Sequence, residues 1–266
     1  MRKRRQARRW AVVAIACAIA VGFVVAFALV FGGGDDGVRL PRAVGDCEPG
    51  PTTPGIDVSY HQDKINWKRV RADGKLFAFV RVSDGTTVPD PLFAKNWVGA
   101  KQAGLLRGAY QYFRPGESAL AQADMLIKAV GTDRGELPPV IDVETDGGRS
   151  PAQIAERVRV WVARVRDRLG VEPIIYTGPE FWRERVGGAD LTSQPLWIAH
   201  YTRPCPSVPE PWTRWTFWQH SDAGEVRGID GPVDLDVFQG NYAELEEFAR
   251  RSRLPRQAST LPPPRR

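Results

Sequence analysis

The sequence predicts an α/β fold, a modified TIM-like barrel of five strand–helix units and three further strands, (β/α)5β3, behind an N-terminal transmembrane or signal segment. Three observations carry this. Strand-like apolar runs alternate with helical patterns five times between residues 55 and 185. Three more strand patterns follow, joined by Pro- and Gly-rich loops without helices between them. A charge-free apolar run, Trp10–Phe31, sits directly behind a basic start. Regular alternation argues for a parallel sheet with helices outside it, and eight strands are enough to close a barrel whose last helices are reduced.

The elements read as follows. Gly55–Ser59 is a short strand, and Ile65–Asp73 has helical spacing. Leu76–Val82 is the second strand, stopped by Ser83-Asp84-Gly85. Pro91–Ala103 is a helix with Pro at its start and Gly104 at its end, the usual asymmetry of helix termini. Arg107–Phe113 is strand three, and Glu117–Val130 is a helix stopped by Gly131. Strand four is Pro138–Glu144. Ser150 caps a long helix with Pro151 at its first position, ending at Gly170. Pro173–Thr177 is strand five, followed by a short helix near Pro179–Arg185. Pro195–His200, Arg214–His220 and Val233–Phe238 are the three further strands, and Asn241–Arg250 is a final amphipathic helix.

Outside this body, residues 32–54 read as a Gly-, Pro- and Asp-rich linker and 251–266 as a disordered Pro/Arg tail. The 22 residues of Trp10–Phe31 would span a bilayer as a helix. The basic flank keeps the N-terminus in the cytoplasm and exports the rest. A signal peptide cleaved near Ala26-Phe27-Ala28 is the rival reading, but the apolar stretch continues past that site, which favours a single-pass anchor. The expected localisation is therefore the cell membrane with the folded body outside, or secretion after cleavage.

The formal charge of +6 is not a property of the folded body. Residues 2–9 and 251–266 carry eleven Lys and Arg and no acid, leaving 26 basic against 31 acidic side chains, about −5. This balance gives no support to nucleic-acid binding. Cys47 and Cys205 are an exported pair, and an oxidising compartment favours a disulfide between them over two unrelated thiols. No metal-ligand spacing appears and only His61, His200 and His220 are available, so no metal and no cofactor is expected.

The candidate chemistry lies at strand ends. Asp142 and Glu144 flank one Val, so in a strand they point to one face. Two acids on one face repel and resist desolvation; alone they read equally well as a solvated strand end. Asp57 in strand one and Asp234 and Asp236 in strand eight add company, because a closed barrel makes the first and last strands neighbours. Carboxylates from three strands at one barrel mouth are a candidate catalytic cluster. Tyr60, Tyr112, Phe113, Tyr176, Tyr201 and Trp218 fall at the same ends, and acids with stacking rings suit hydrolysis of a carbohydrate.

These residues resemble glycoside hydrolase family 25, the lysozymes that act as N-acetylmuramidases. The resemblance rests on GIDVSYHQDKINW (Gly55–Trp67), FVRVSDG (Phe79–Gly85), GAYQYFRP (Gly108–Pro115), PPVIDVE (Pro138–Glu144), IIYTG (Ile174–Gly178), PLWIAHY (Pro195–Tyr201), WTFWQH (Trp215–His220) and VDLDVF (Val233–Phe238), in order over about 55–250. It implies a peptidoglycan hydrolase cleaving the β-1,4 bond between N-acetylmuramic acid and N-acetylglucosamine, with overall retention. The site it implies is Glu144 as general acid with Asp142, Asp57 and Asp234, and Tyr112, Tyr176, Tyr201 and Gln219 as substrate contacts. The expected partners are glycan strands and the membrane through residues 10–31, with the protein a monomer. Two departures stand out: Gln111 replaces a common His, and Asp236 replaces a common Asn. A non-catalytic, membrane-tethered peptidoglycan-binding protein and a chitinase-like glycosidase are the alternatives; the intact acid set argues against the first.

Overall fold

The computed structural model describes residues 50–187, 189–201 and 205–253. Its strands are β1 (Thr52–Val58), β2 (Phe77–Asp84), β3 (Val88–Pro89), β4 (Leu106–Tyr112), β5 (Val140–Asp142), β6 (Ile174–Thr177), β7 (Leu196–Ala199), β8 (Phe217–Gly224) and β9 (Val233–Gln239). The helices are α1 (Trp67–Ala72), α2 (Phe93–Gln102), α3 (Ala119–Val130), α4 (Pro151–Leu169), α5 (Pro179–Phe181) and α6 (Tyr242–Arg253), with a π-helical turn at Trp182–Val186 after α5. Eight strands close a barrel in the order β1-β2-β4-β5-β6-β7-β8-β9, and β3 is a short hairpin partner of β2. The element order is the expected one, with the seam of the barrel at β1.

The sheet is not wholly parallel. Strands from β1 through β8 run parallel around the barrel, but β9 is antiparallel to both β8 and β1. A hairpin loop replaces the helix that would have carried the chain back to the barrel's other end, so the strand returns downwards. This corrects the expectation of a parallel sheet at the last strand. Asp234 reaches the mouth because it is near the N-terminal end of β9, paired in register with Asp57.

Helix termini follow from local chemistry. Ser150 accepts from the Gln153 amide and the Gln153 side chain returns the bond, a capping box, with Pro151 at the first turn and Gly170 left-handed at the end. At the start of α3 Ser118 accepts from the Ala121 amide, and at the start of α1 Asn66 accepts from the Arg69 amide, without the reciprocal bond. The apolar faces of these helices meet the outward residues of the strands, for example Val80, Ala109, Ile141 and Ile175.

The barrel interior is aromatic. Phe77, Phe79, Tyr110, Tyr176, Trp197, Phe217 and Phe238 form a buried cluster. The Phe79 and Trp197 rings stack at 4.3 Å between centroids, and Phe77 meets Phe217 edge-on at 5.3 Å. Gly55 makes room for this filling: a Cβ there would come within 2.4 Å of the Phe77 ring. From α6, Leu245 and Phe248 pack on the same cluster.

Among the described residues no helix is long and apolar enough to cross a membrane. The run Trp10–Phe31, the linker as far as Pro49 and the tail from Leu254 lie outside them. Cys205 is disulfide-bonded; Cys47, its expected partner, is also outside them.

Candidate active site

A cleft of about 240 Å³ opens at the end of the barrel where the parallel strands finish. Asp57, Asp142, Glu144 and Asp234 all line it, as do Tyr112, Tyr176, Tyr201 and Gln219. Every residue expected from the strand-end reading of the acids is therefore brought to one place, with Asp236 beneath.

The Asp142–Glu144 stretch differs from its expected form. β5 is only three residues long and ends at Asp142, so Glu144 lies beyond the strand. The extended path nevertheless continues one step, because the Val143 amide donates to the Tyr176 carbonyl at 2.9 Å. Val143 is fully buried in the outer core, and alternation carries Asp142 and Glu144 to the cleft. Asp142 is buried, with Oδ1 reached by no donor, whereas Glu144 is exposed at the rim.

Burial raises the pKa of Asp142 well above the usual carboxylate range, and the nearby Glu144 charge adds to the rise; Arg81 and Arg114 oppose it. Burial also raises Glu144, against a hydrogen bond from Tyr112 and the charge of Arg114. Asp57 is raised by burial and then by Asp236 and Asp234, with the Gln219 hydrogen bond opposing. Asp234 is raised to about 6 by burial and by Asp222. Each of these carboxyls is thus pushed towards its protonated form, the kind of perturbation found where acid–base groups are gathered.

Asp234 lends itself to a stability test. A carboxyl whose folded pKa exceeds its unfolded value loses stability as pH rises from 3.8 towards about 6. Asp234→Asn is expected to raise Tm by about 2–6 °C at neutral pH. The gain should vanish below pH 3.8, where both states are protonated. Thermal melts across this range decide it.

Polar side chains hold the cluster in place. Gln219 donates from Nε2 to Asp57 Oδ2 at 2.6 Å, while its Oε1 accepts from Tyr176 Oη at 2.8 Å and Tyr201 Oη at 2.9 Å. Gln219 thus spends its amide on positioning Asp57 rather than on reaching outwards. Arg114 grips Asp84 through Nε and Nη2 at 2.5 and 2.6 Å and lies over the Tyr112 ring. A bulge at Val82, where Arg81 pairs with Tyr110 but Ser83 with Gln111, turns Ser83 towards the helix layer.

Gln111, one of the two departures from the family motifs, takes no part in the cleft: it is fully buried, donates to Ser83 Oγ and accepts from Trp161 Nε1 at 2.8 Å. Two of the aromatic expectations are corrected. Phe113 and Trp218 pack in the outer core, so they are not mouth residues. Alternation along β4 explains both outward residues of that stretch. Six lining residues escaped the sequence reading: Ser59, His61, Gln62, Arg81, Tyr110 and Trp197. Period-two alternation in LWIA would have aimed Trp197 inwards, but nothing local marks Arg81, whose Nε lies 3.4 Å from Asp90 Oδ2 and whose guanidinium covers Tyr60. No group of His, Cys, Asp and Glu able to hold a metal ion occurs among the described residues.

A family model described as glycosyl hydrolases family 25 matches residues 56–229. The chain belongs to this family. It is a glycoside hydrolase of the lysozyme type, and the cleft of carboxyls is in keeping with that class. YegX of Escherichia coli strain K12, itself uncharacterized, is 42% identical over 216 residues, covering 79% of this chain and 76% of YegX. Lysozyme M1 of Streptomyces globisporus is 36% identical over 207 residues, covering 73% and 70%. The crystal structure of a bacterial lysozyme from Streptomyces coelicolor superposes with a TM-score of 0.70 at 34% identity, over 75% of this chain and 98% of that one. The family 25 chain therefore shares both fold and extent with an enzyme of known structure.

Proposed function

We propose that this family 25 enzyme hydrolyses peptidoglycan at the β-1,4 bond between N-acetylmuramic acid and N-acetylglucosamine, with Glu144 as general acid. The observation that carries the reading is the placement of Glu144. It is a raised-pKa carboxyl at the open rim, hydrogen-bonded by Tyr112, with the buried Asp142 beside it. A carboxyl at the open rim can take up a proton from its buried neighbour and, after donating it, recover one from solvent.

In the resting cleft burial favours a proton on the deeper Asp142. The acetamido N–H of the sugar, donating to Asp142, would stabilise its anion and leave the shared proton on Glu144. Glu144 then protonates the leaving oxygen. Charged Asp142 stabilises the oxocarbenium-like transition state or orients the acetamido oxygen as internal nucleophile. Asp57, held by Gln219, and Asp234 set the proton balance and position the sugar. Tyr112, Tyr176 and Tyr201 supply ring faces and hydroxyls to the glycan.

The names of relatives support the substrate class: besides Lysozyme M1, an N,O-diacetylmuramidase of Chalaropsis sp is 30% identical over 203 residues. The enzyme would act outside the cytoplasmic membrane, tethered through residues 10–31 or released after cleavage there. Digestion of cell walls followed by reducing-end analysis tests the bond. N-acetylmuramic acid at the new reducing ends is the expected result. N-acetylglucosamine there would point instead to a glucosaminidase or chitinase-like specificity, and no new ends to a binder.

A further inference from the structure

Asp236 has a part that the catalytic reading leaves unexplained. It is 1% exposed, on the inward face of β9, with Asp57 of β1 beside it and Trp197 of β7 across the interior. Its Oδ1 accepts from Trp197 Nε1 at 2.9 Å. Its Oδ2 is buried and no donor among the described residues reaches it. An acceptor buried without a donor costs about as much as a lost hydrogen bond, and a carboxylate bearing charge costs more. The neighbouring group towards which a carboxyl hydrogen bond runs is Asp57. The other oxygen of that neighbour is already served: Asp57 Oδ2 accepts from Gln219. The charges that bear on Asp236 are Asp234 on the same strand, which pushes its pKa up, and Lys75, which pulls it down; the hydrogen bonds with Trp197 and Asp57 also pull it down, against the larger effect of burial.

We propose that Asp236 is a positioning residue held as the neutral acid, its Oδ2–H donating to the Asp57 carboxyl beneath the cleft. One proton then satisfies both difficulties, giving Oδ2 its bond and Asp57 a second donor opposite Gln219. Asp57 is thereby fixed from two sides, by an amide from β8 and an acid from β9, and aimed up into the cleft. Burial of Asp236, which favours its protonated form, agrees with this arrangement. Asp236 does not touch the glycan and has no proton-transfer step of its own.

The inference rests on the proposed role of Asp57 for its kinetic arm, so a second arm is independent of activity. Asp236→Asn keeps a donor for Asp57; Asp236→Val has a similar volume and none. On cell-wall substrate, Asp236→Val is expected to lower kcat by about 10-fold or more with KM within about 2-fold, and Asp236→Asn to restore most of the loss. Difference infrared spectroscopy near neutral pH should show, besides the proton shared by Asp142 and Glu144, a further protonated carboxyl band in the wild type that Asp236→Asn removes. Equal kcat in the Asn and Val variants would overturn the proposal, as would an infrared band untouched by Asp236→Asn. If the wild type released no sugar ends at all, the catalytic reading would fall while the infrared result still decided the state of Asp236.

Discussion

Glu144→Gln is expected to lower the rate of cell-wall hydrolysis by about 10²–10⁴-fold, the range that a general acid contributes. The substitution keeps the shape of the side chain and an oxygen for the Tyr112 hydroxyl, but an amide cannot deliver a proton to a leaving alkoxide. Glu144 lies at the rim beyond the end of β5 and supports no packing, so the variant should fold. Its binding of glycan should change little, so the loss falls on kcat. Turbidity clearance and reducing-end release measure it; turnover like that of the wild type would remove Glu144 from the role.

Glu136→Ala carries the largest expected cost in stability. Arg107 is a fully buried guanidinium on the outer face of β4, far from the acids of the mouth. Glu136 meets its Nε at 2.9 Å, its Nη2 at 3.0 Å and its backbone amide at 3.1 Å. Asp133 takes Nη1 and Nη2 from the other side, and the guanidinium lies over the Trp97 ring. Arg107 cannot shed its charge, so removing Glu136 leaves a buried cation with one anionic partner, itself half exposed, and the Trp97 carbonyl. A loss of about 3–5 kcal/mol is expected, a fall in Tm of roughly 6–15 °C. The effect should depend on pH. Burial pushes Glu136 up, but the hydrogen bonds and charge of Arg107 outweigh it and leave its pKa below 4.5. Its stabilisation is present above 4.5 and lost as pH falls through the lowered folded value, so the gap between wild type and variant should narrow in acid. Arg107→Met removes the charge along with its need for partners, and is expected to cost less than Glu136→Ala.

The two sites differ in how visible they are from the chain alone. Asp57, Asp142, Glu144 and Asp234 could be picked out because a barrel converts strand ends into a ring, and the order of strands along the chain settles which ends are neighbours. Helix limits were also local: the capping box at Ser150 and the Gly170 terminus place α4 to the residue. Arg107 gave no such sign. Its partners Asp133 and Glu136 sit in a loop 26 and 29 residues on, and an Arg opening a strand looks the same whether buried or solvated. Gln111 was no more legible: the motif left its role open, and one residue of alternation turns it to Trp161.

By itself the sequence determined the number and order of strands, the helix limits, the family motifs and the set of acids, because each depends on spacing or on chemistry a few residues wide. Tertiary structure decided the rest. It set the direction of β9, which brings Asp234 to the mouth by its other end. It decided which of two alternating faces each aromatic takes, and so that Trp197 lies inside the barrel. It put Gln219 between Asp57 and two tyrosines, and it left Asp236 Oδ2 with a carboxyl for its neighbour. Those outcomes turn on contacts between residues far apart in the chain, whose energies exist only once the barrel has closed and water has been excluded from its interior.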